Sequence, residues 1–286
     1  MRHSELIPFI KVQSLGNDFI LLEEPAATAA SFSPGLVRKL CDRNFGVGAD
    51  GVLLVLPGDE GHARMRIHNS DGSVAEMCGN GIRCFARYLA RDRGVRDPIV
   101  LVETDSGLKS CEVMERPGGV CEVRVAMGAP RFEVPGCRSD EIPLRSYEVC
   151  GRRYEATVVS MGNPHLVIFV DNLTRELGLR VGAALVGHSD FPEGTNVELV
   201  RRHSPECFET IVYERGVGLT LACGTGACAV VAAACLRGAA AFGADVVVRL
   251  PGGDCAVKIA ADCGESQLKG PAEEVFRGVF PAKPGA

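Results

Sequence analysis

Two eight-residue stretches constrain this 286-residue chain more than any other feature: MCGNGIRC at 77–84 and ACGTGACA at 222–229. Each is a Cys-Gly-polar-Gly tetrad followed by an apolar, helix-like run. Cys78 and Cys223 are 145 positions apart. Asn17 in LGNDFILL and Asn163 in MGNPHLVI are 146 apart, and Gly94 and Gly238, which stop the two helical runs, are 144 apart. Three landmarks keeping one offset read as a duplication, with two structural copies in one chain. Two like domains, each with a helix opening at a cysteine, predict a ligand cleft where they face each other.

The local patterns repeat in the same order. In the first half, 8–12 and 19–23 are strand-like around a Gly16-Asn17-Asp18 turn. Ser33-Pro34 has the form of a helix cap followed by proline, opening a helix to about Arg43. Strand-like runs follow at 52–56 and 63–68, then a helix from Gly79 to about Arg93, then strands at 99–103, 109–115 and 121–125. In the second half, 154–160 and 166–170 flank a Gly162-Asn163-Pro164 turn. A weaker helix is expected at 177–186, strands at 196–201 and 208–213, a helix from about Gly224 to Leu236, and further strands to Phe280.

Composition narrows the partners. A net charge of −5 argues against nucleic acid as the main partner. With no Trp and 6% aromatics there is no stacking platform for bases. The most apolar stretch, 224–244, is interrupted by Arg237 and Gly238, so it reads as a buried helix and no membrane partner is expected. The N-terminus shows no apolar signal region. The 13 cysteines are odd in number and show no CxxC pair, which favours reduced thiols and a cytoplasmic location. The histidines show no metal-ligand spacing, so no metal site is expected.

A cysteine at a helix start meets unpaired N–H groups and a partial positive charge, which lowers a thiol's pKa. Gly79 and Gly81, like Gly224 and Gly226, let the backbone approach an anion closely. Two such tetrads facing one cleft suit proton transfer at one carbon from both sides. A thiolate removes a proton from one face, a thiol returns one to the other, and the helix starts stabilise the charge developing on an adjacent carboxylate. This points to racemisation or epimerisation without a metal.

The motifs LGNDFILL, FGVGADGVLL, NSDGSVAEMCGNGIRC, SMGNPHLVIF, GTNVEL and VYERGVGLTLACGTGACA, in this order, resemble the diaminopimelate epimerase family, and the resemblance runs from about Pro8 to Phe280. It implies an α+β fold of two pseudo-symmetric β-rich domains, each a barrel-like sheet wrapped around a central helix. The domains expected are 1–127 with a returning segment 271–286, and 128–270. It also implies an enzyme that interconverts LL- and meso-diaminopimelate without a cofactor, on the route to lysine and peptidoglycan. By motif, Cys78 and Cys223 match the two acid/base cysteines. Gly79-Asn80 and Gly224-Thr225 match the cradle for the reacting carboxylate. Asn17, Asn69, Asn163, Asn196, Glu214 and Arg215 match substrate contacts, with Arg215 suited to a two-bond carboxylate clamp. His165 and Glu214 match groups that tune the cysteines. A small-molecule amino-acid substrate is the expected partner, and a homodimer is allowed.

Two positions depart from the family pattern. Gly51 stands where many members have Gln, and Leu219-Thr220 where many read Glu-Thr. Neither touches a tetrad, so their expected effect is on affinity or substrate range. Taken residue by residue, other readings stay open. The asparagines suit turns for backbone reasons alone, His165 suits a structural role, and Arg215 suits a solvated turn. At the level of function the alternatives are a racemase of the same fold acting on another amino acid, such as histidine or proline, and a dithiol redox protein.

Overall fold

The computed structural model describes residues 5–23, 32–117, 120–132 and 144–282. The chain divides into two compact units, Met1–Val125 with Gly270–Ala286, and Ala126–Lys269.

In the first unit β1 (Glu5–Ser14) and β2 (Asn17–Glu23) form an antiparallel hairpin, and β2 pairs in parallel with β3 (Gly51–Leu56). A parallel pair needs a crossover, and α1 (Pro34–Cys41) provides it. Ser33 caps α1 by accepting from Leu36 N, with Pro34 in the first turn. The helix ends at Cys41, two residues short of the sequence expectation, because Asp42 turns to an extended conformation (φ −61, ψ 120). Then β4 (Ala63–Asn69) pairs antiparallel with β3 and with the short β5 (Val74–Ala75). Next, α2 (Gly79–Arg91) crosses to β6 (Ile99–Thr104), which pairs in parallel with β4 and antiparallel with β7 (Gly107–Glu115). β8 (Cys121–Gly128) pairs with β7.

β2 and β3 are buried on both faces, which explains their unbroken apolar runs. One face packs Ile20, Leu22, Val52 and Leu54 against Val37 and Leu40 of α1. On the other, the first turn of α2 comes close enough that a Cβ on Gly81 would lie 3.2 Å from Leu53 and 3.5 Å from Phe19. α2 is the central helix of the unit, buried from Gly79 to Leu89.

The second unit repeats every step. β9 (Leu144–Val149) and β10 (Arg152–Ser160) precede β11 (Pro164–Phe169), and β10 pairs antiparallel with both. α3 (Arg175–Leu185) is the crossover between the parallel strands β11 and β12 (Asn196–Ser204). It starts two residues before the sequence expectation because Thr174 Oγ1 caps Leu177 N at 3.1 Å. β13 (Cys207–Glu214) pairs antiparallel with β12 and with the short β14 (Gly218–Leu219). α4 (Gly224–Leu236) then crosses to β15 (Val246–Leu250), parallel to β13, followed by β16 (Gly253–Ile259) and β17 (Ser266–Ala282), whose first residues pair with β16 and whose part from Gly270 on belongs to the first unit, antiparallel to β1. α3 packs Leu177, Val181 and Leu185 on Leu166, Ile168, Val197 and Leu199. α4, rich in alanine, is buried along almost its whole length as the central helix of this unit.

The fold class is therefore α+β: two β-rich units of the same topology, each with its strands around one central helix. No helix among the described residues is long and apolar enough to cross a membrane.

Candidate functional site

Each tetrad places its cysteine at the N-cap of a central helix, and the two caps share one geometry. Cys78 (φ −142, ψ 117) accepts at Sγ from Gly81 N at 3.4 Å, and Cys223 (φ −124, ψ 113) accepts from Gly226 N at 3.4 Å. Sulfur thus fills the role that an oxygen usually takes at a helix start.

Around Cys78, in the first unit, Asn17 Oδ1 accepts from the thiol at 3.6 Å and from Asn80 Nδ2 at 3.2 Å. Asn17 Nδ2 donates to Asp50 Oδ2 at 2.8 Å. Asp50 also accepts from Arg43, which bridges to Asp18, and Lys11 meets Asp18 at 2.5 Å. Burial pushes the Asp18 carboxyl up, but Arg43 and Lys11 outweigh it and hold the group at about 2. Asn69 stands apart. It lies opposite Gly51 in the β3–β4 register, but its amide donates to Ser73 Oγ at 2.9 Å within its own turn.

Around Cys223, in the second unit, Thr225 Oγ1 lies 3.5 Å from the sulfur and accepts from Asn163 Nδ2 at 3.4 Å. His165 Nε2 lies 3.1 Å from Asn163 Oδ1, and its Nδ1 lies 2.7 Å from Glu198 Oε1. His165 and Glu198 are both fully buried, and Glu198 Oε2 is buried with no hydrogen-bond partner among the described residues. Glu214 accepts from Thr220 Oγ1 at 2.5 Å. Asn196 Oδ1 accepts from Arg215 N at 2.9 Å, which ties the end of β12 to the turn after β13. The exposed Arg215 guanidinium donates to Glu193 O at 2.9 Å.

The electrostatics correct one expectation. A helix start was expected to lower both thiols. The Cys223 thiol is instead pushed well above its ordinary value by burial, then by the nearby carboxylates of Glu214 and Glu198; Thr225 and Gly226 act the other way and lose. Burial, followed by the Glu198 charge, also raises Glu214. In this environment Cys223 is a proton-bearing thiol. Cys84, one turn into α2, is likewise pushed up to about 12 by burial, as suits a core thiol.

The two departures have local causes. A Cβ on Gly51 would come within 2.6 Å of His68 O, so this backbone admits no side chain there unless β4 moves. Leu219 lies against Gly178 of α3, while Thr220 keeps its bond to Glu214.

Asp50 and Arg43 near Cys78, and Glu198 near Cys223, were not singled out from sequence. Glu198 carried a readable signal: a lone carboxylate among Val197, Leu199 and Val200, all of which are fully buried.

The family model "Diaminopimelate epimerase" matches residues 9–133 and 157–275. The chain is 42% identical over 282 residues to the diaminopimelate epimerase of Moorella thermoacetica, covering 96% of this chain and 99% of that protein. It is 45% identical over 277 residues to that of Desulfitobacterium hafniense, covering 95% and 97%. Among solved structures, a hydroxyproline epimerase from Agrobacterium vitis shares the fold at a TM-score of 0.71 and 17% identity, covering 98% of this chain and 92% of that one. A phenazine biosynthesis protein of the PhzF family from Bacillus anthracis does so at 0.70 and 15%, covering 96% and 99%.

Proposed function

The chain belongs to the diaminopimelate epimerase family, and from that premise we propose that it interconverts LL- and meso-diaminopimelate, with Cys78 and Cys223 as the two proton-transfer groups. The observation that carries this reading is the matched pair of sulfur N-caps, each accepting from the third residue of its helix at 3.4 Å.

The proton inventory closes with the two thiols alone. One sulfur enters as thiolate and takes the α-proton; the C–H electron pair passes into the adjacent carboxylate. The other enters as thiol and delivers its proton to the opposite face. Configuration inverts, and the sulfurs exchange roles. Burial, Glu214 and Glu198 favour the thiol at Cys223, so Cys78 is the base in the direction that starts from this state. The backbone at Gly79-Asn80 and Gly224-Thr225 offers helix-start N–H groups to the reacting carboxylate, where charge develops.

Asn17, Asn163, Asn196, Glu214 and Arg215 hold the distal amino-acid head, and Asn69 joins them once its amide leaves Ser73. Arg215 supplies a fork that a carboxylate can bridge. His165 and Glu214 set the proton affinity of Cys223. The enzyme is an isomerase that works in the cytoplasm, where its many thiols stay reduced, on the route to lysine and peptidoglycan precursors. It works as a homodimer through the outer face of the paired strands β1 and β17, where Leu6 and Val279 are exposed. Such apolar patches mark interfaces.

Purified Cys78→Ala and Cys223→Ala are each expected to lose epimerisation by at least about 10⁴-fold, the upper range for a proton-transfer group. Both are expected to sediment as the wild-type dimer. A folded variant that keeps activity overturns the assignment, and a wild-type monomer overturns the dimer.

A further inference from the structure

Arg83 is the largest fully buried side chain among the described residues. It sits one turn into α2, and its guanidinium is held on several sides. Nε and Nη2 donate to Ser14 Oγ at 3.1 and 2.6 Å, and Nη1 donates to Gly79 O at 3.1 Å. Nη2 also donates to Asn80 Oδ1 at 2.6 Å. Ser14 Oγ in turn donates to Pro271 O at 2.7 Å, and a Cβ on Gly270 would lie 3.1 Å from the guanidinium.

These bonds fix the direction of a chain of amides. A guanidinium only donates, so Asn80 must turn Oδ1 toward Arg83 and Nδ2 toward Asn17 Oδ1, at 3.2 Å. At the far end the Asp50 carboxylate, which also accepts from Arg43, offers only acceptors, so Asn17 must turn Nδ2 toward it, at 2.8 Å. The two ends agree. Neither amide can flip without breaking a charge-assisted bond, and the atom presented to Cys78 Sγ, at 3.6 Å, is always Asn17 Oδ1.

The duplication supplies the control. Counting 145 positions on, Arg83 corresponds to Cys228 and Asn80 to Thr225. α4 nevertheless starts with the same sulfur cap, so neither the helix start nor the cap requires an arginine. We infer that Arg83 is a positioning residue for Cys78. It locks the Asn80–Asn17 amide pair in one orientation against the sulfur and sets a buried cation one turn behind it. The inference rests on the reading of Cys78 as an acid/base group.

The test is the pH dependence of alkylation by iodoacetamide without substrate, followed by mass spectrometry at the Cys78 and Cys223 peptides, beside kcat and KM. In Arg83→Met the Cys78 midpoint is expected to rise by about one pH unit, because a cation that favours the thiolate is gone. The Cys223 midpoint should stay put, and kcat should fall by about tenfold or more with KM changed less. Arg83→Lys keeps the charge but not the fork. Its Cys78 midpoint should stay within about half a unit of wild type while kcat still falls. Folded Arg83→Met with a wild-type Cys78 midpoint, or with equal shifts at both cysteines, overturns the inference. If Arg83→Met does not fold, full kcat in Arg83→Lys overturns it. A Cys78→Ser enzyme that still epimerises would instead overturn the catalytic reading.

Discussion

At the scale of single residues, the two cysteines are alike in backbone and unlike in surroundings. Cys78 is half-buried and faces an amide oxygen; Cys223 is buried beside two carboxylates. Sequence made the cysteines legible because they repeat, and the resemblance supplied the asparagines. It did not reveal the difference between the two cysteines' surroundings, because that depends on groups brought in by other segments: Asp50 from just before β3 and Glu198 from within β12. Glu198 stands out in sequence as a carboxylate in an apolar run, but its charge and that of Asp50 act through space, and no spacing tells which thiol each one reaches. The difference predicts the behaviour of Glu214→Gln. Removing a negative neighbour favours the thiolate, so the Cys223 midpoint should fall and its alkylation at neutral pH should speed up, about tenfold for each unit. The sign follows from the direction of the shift: a thiol raised by a carboxylate comes down when the carboxylate is neutralised. An unchanged or slower rate at Cys223 would remove Glu214 as the group that sets this thiol.

At the scale of elements, the two central helices were readable from their stops and their apolar runs, but α3 was only weakly so. Its sequence RELGLRVGAAL carries two glycines, each costing helix stability by about 1 kcal/mol against alanine. The structure shows what offsets that cost. A Cβ on Gly182 would lie 2.3 Å from Tyr213 Cβ, and one on Gly178 would lie 2.6 Å from Ile211. The glycines let α3 lie directly on β13, the strand that ends at Glu214. Local propensity argues against this helix, while packing requires those two residues in it. Gly182→Ala should therefore destabilise the protein by about 1–3 kcal/mol, as overpacking does, despite alanine being the better helix former. Activity should fall with it, because Tyr213 and its neighbour Glu214 must shift. A raised melting temperature would show that propensity, not contact with Tyr213, governs this position.

At the scale of the whole molecule, the duplication is the most legible feature. One offset in three landmarks anticipated two units that match pair for pair, from the parallel β2–β3 and β11–β12 pairs to the short hairpins β4–β5 and β13–β14. What the offset left unread is which strands neighbour which, since pairing is set by crossovers rather than by periodicity. The proposed reaction needs one thiol from each unit at the same α-carbon. The most direct measurement is incubation of LL-diaminopimelate with the enzyme in deuterated water, with no cofactor added, followed by NMR and mass analysis at early times. Two-thiol transfer gives meso product carrying one deuterium at the inverted centre, while the remaining LL substrate is still protiated there, because the proton removed by one sulfur is not the one returned by the other. Product that retains protium at that centre, exchange without inversion, or a requirement for pyridoxal phosphate would contradict it.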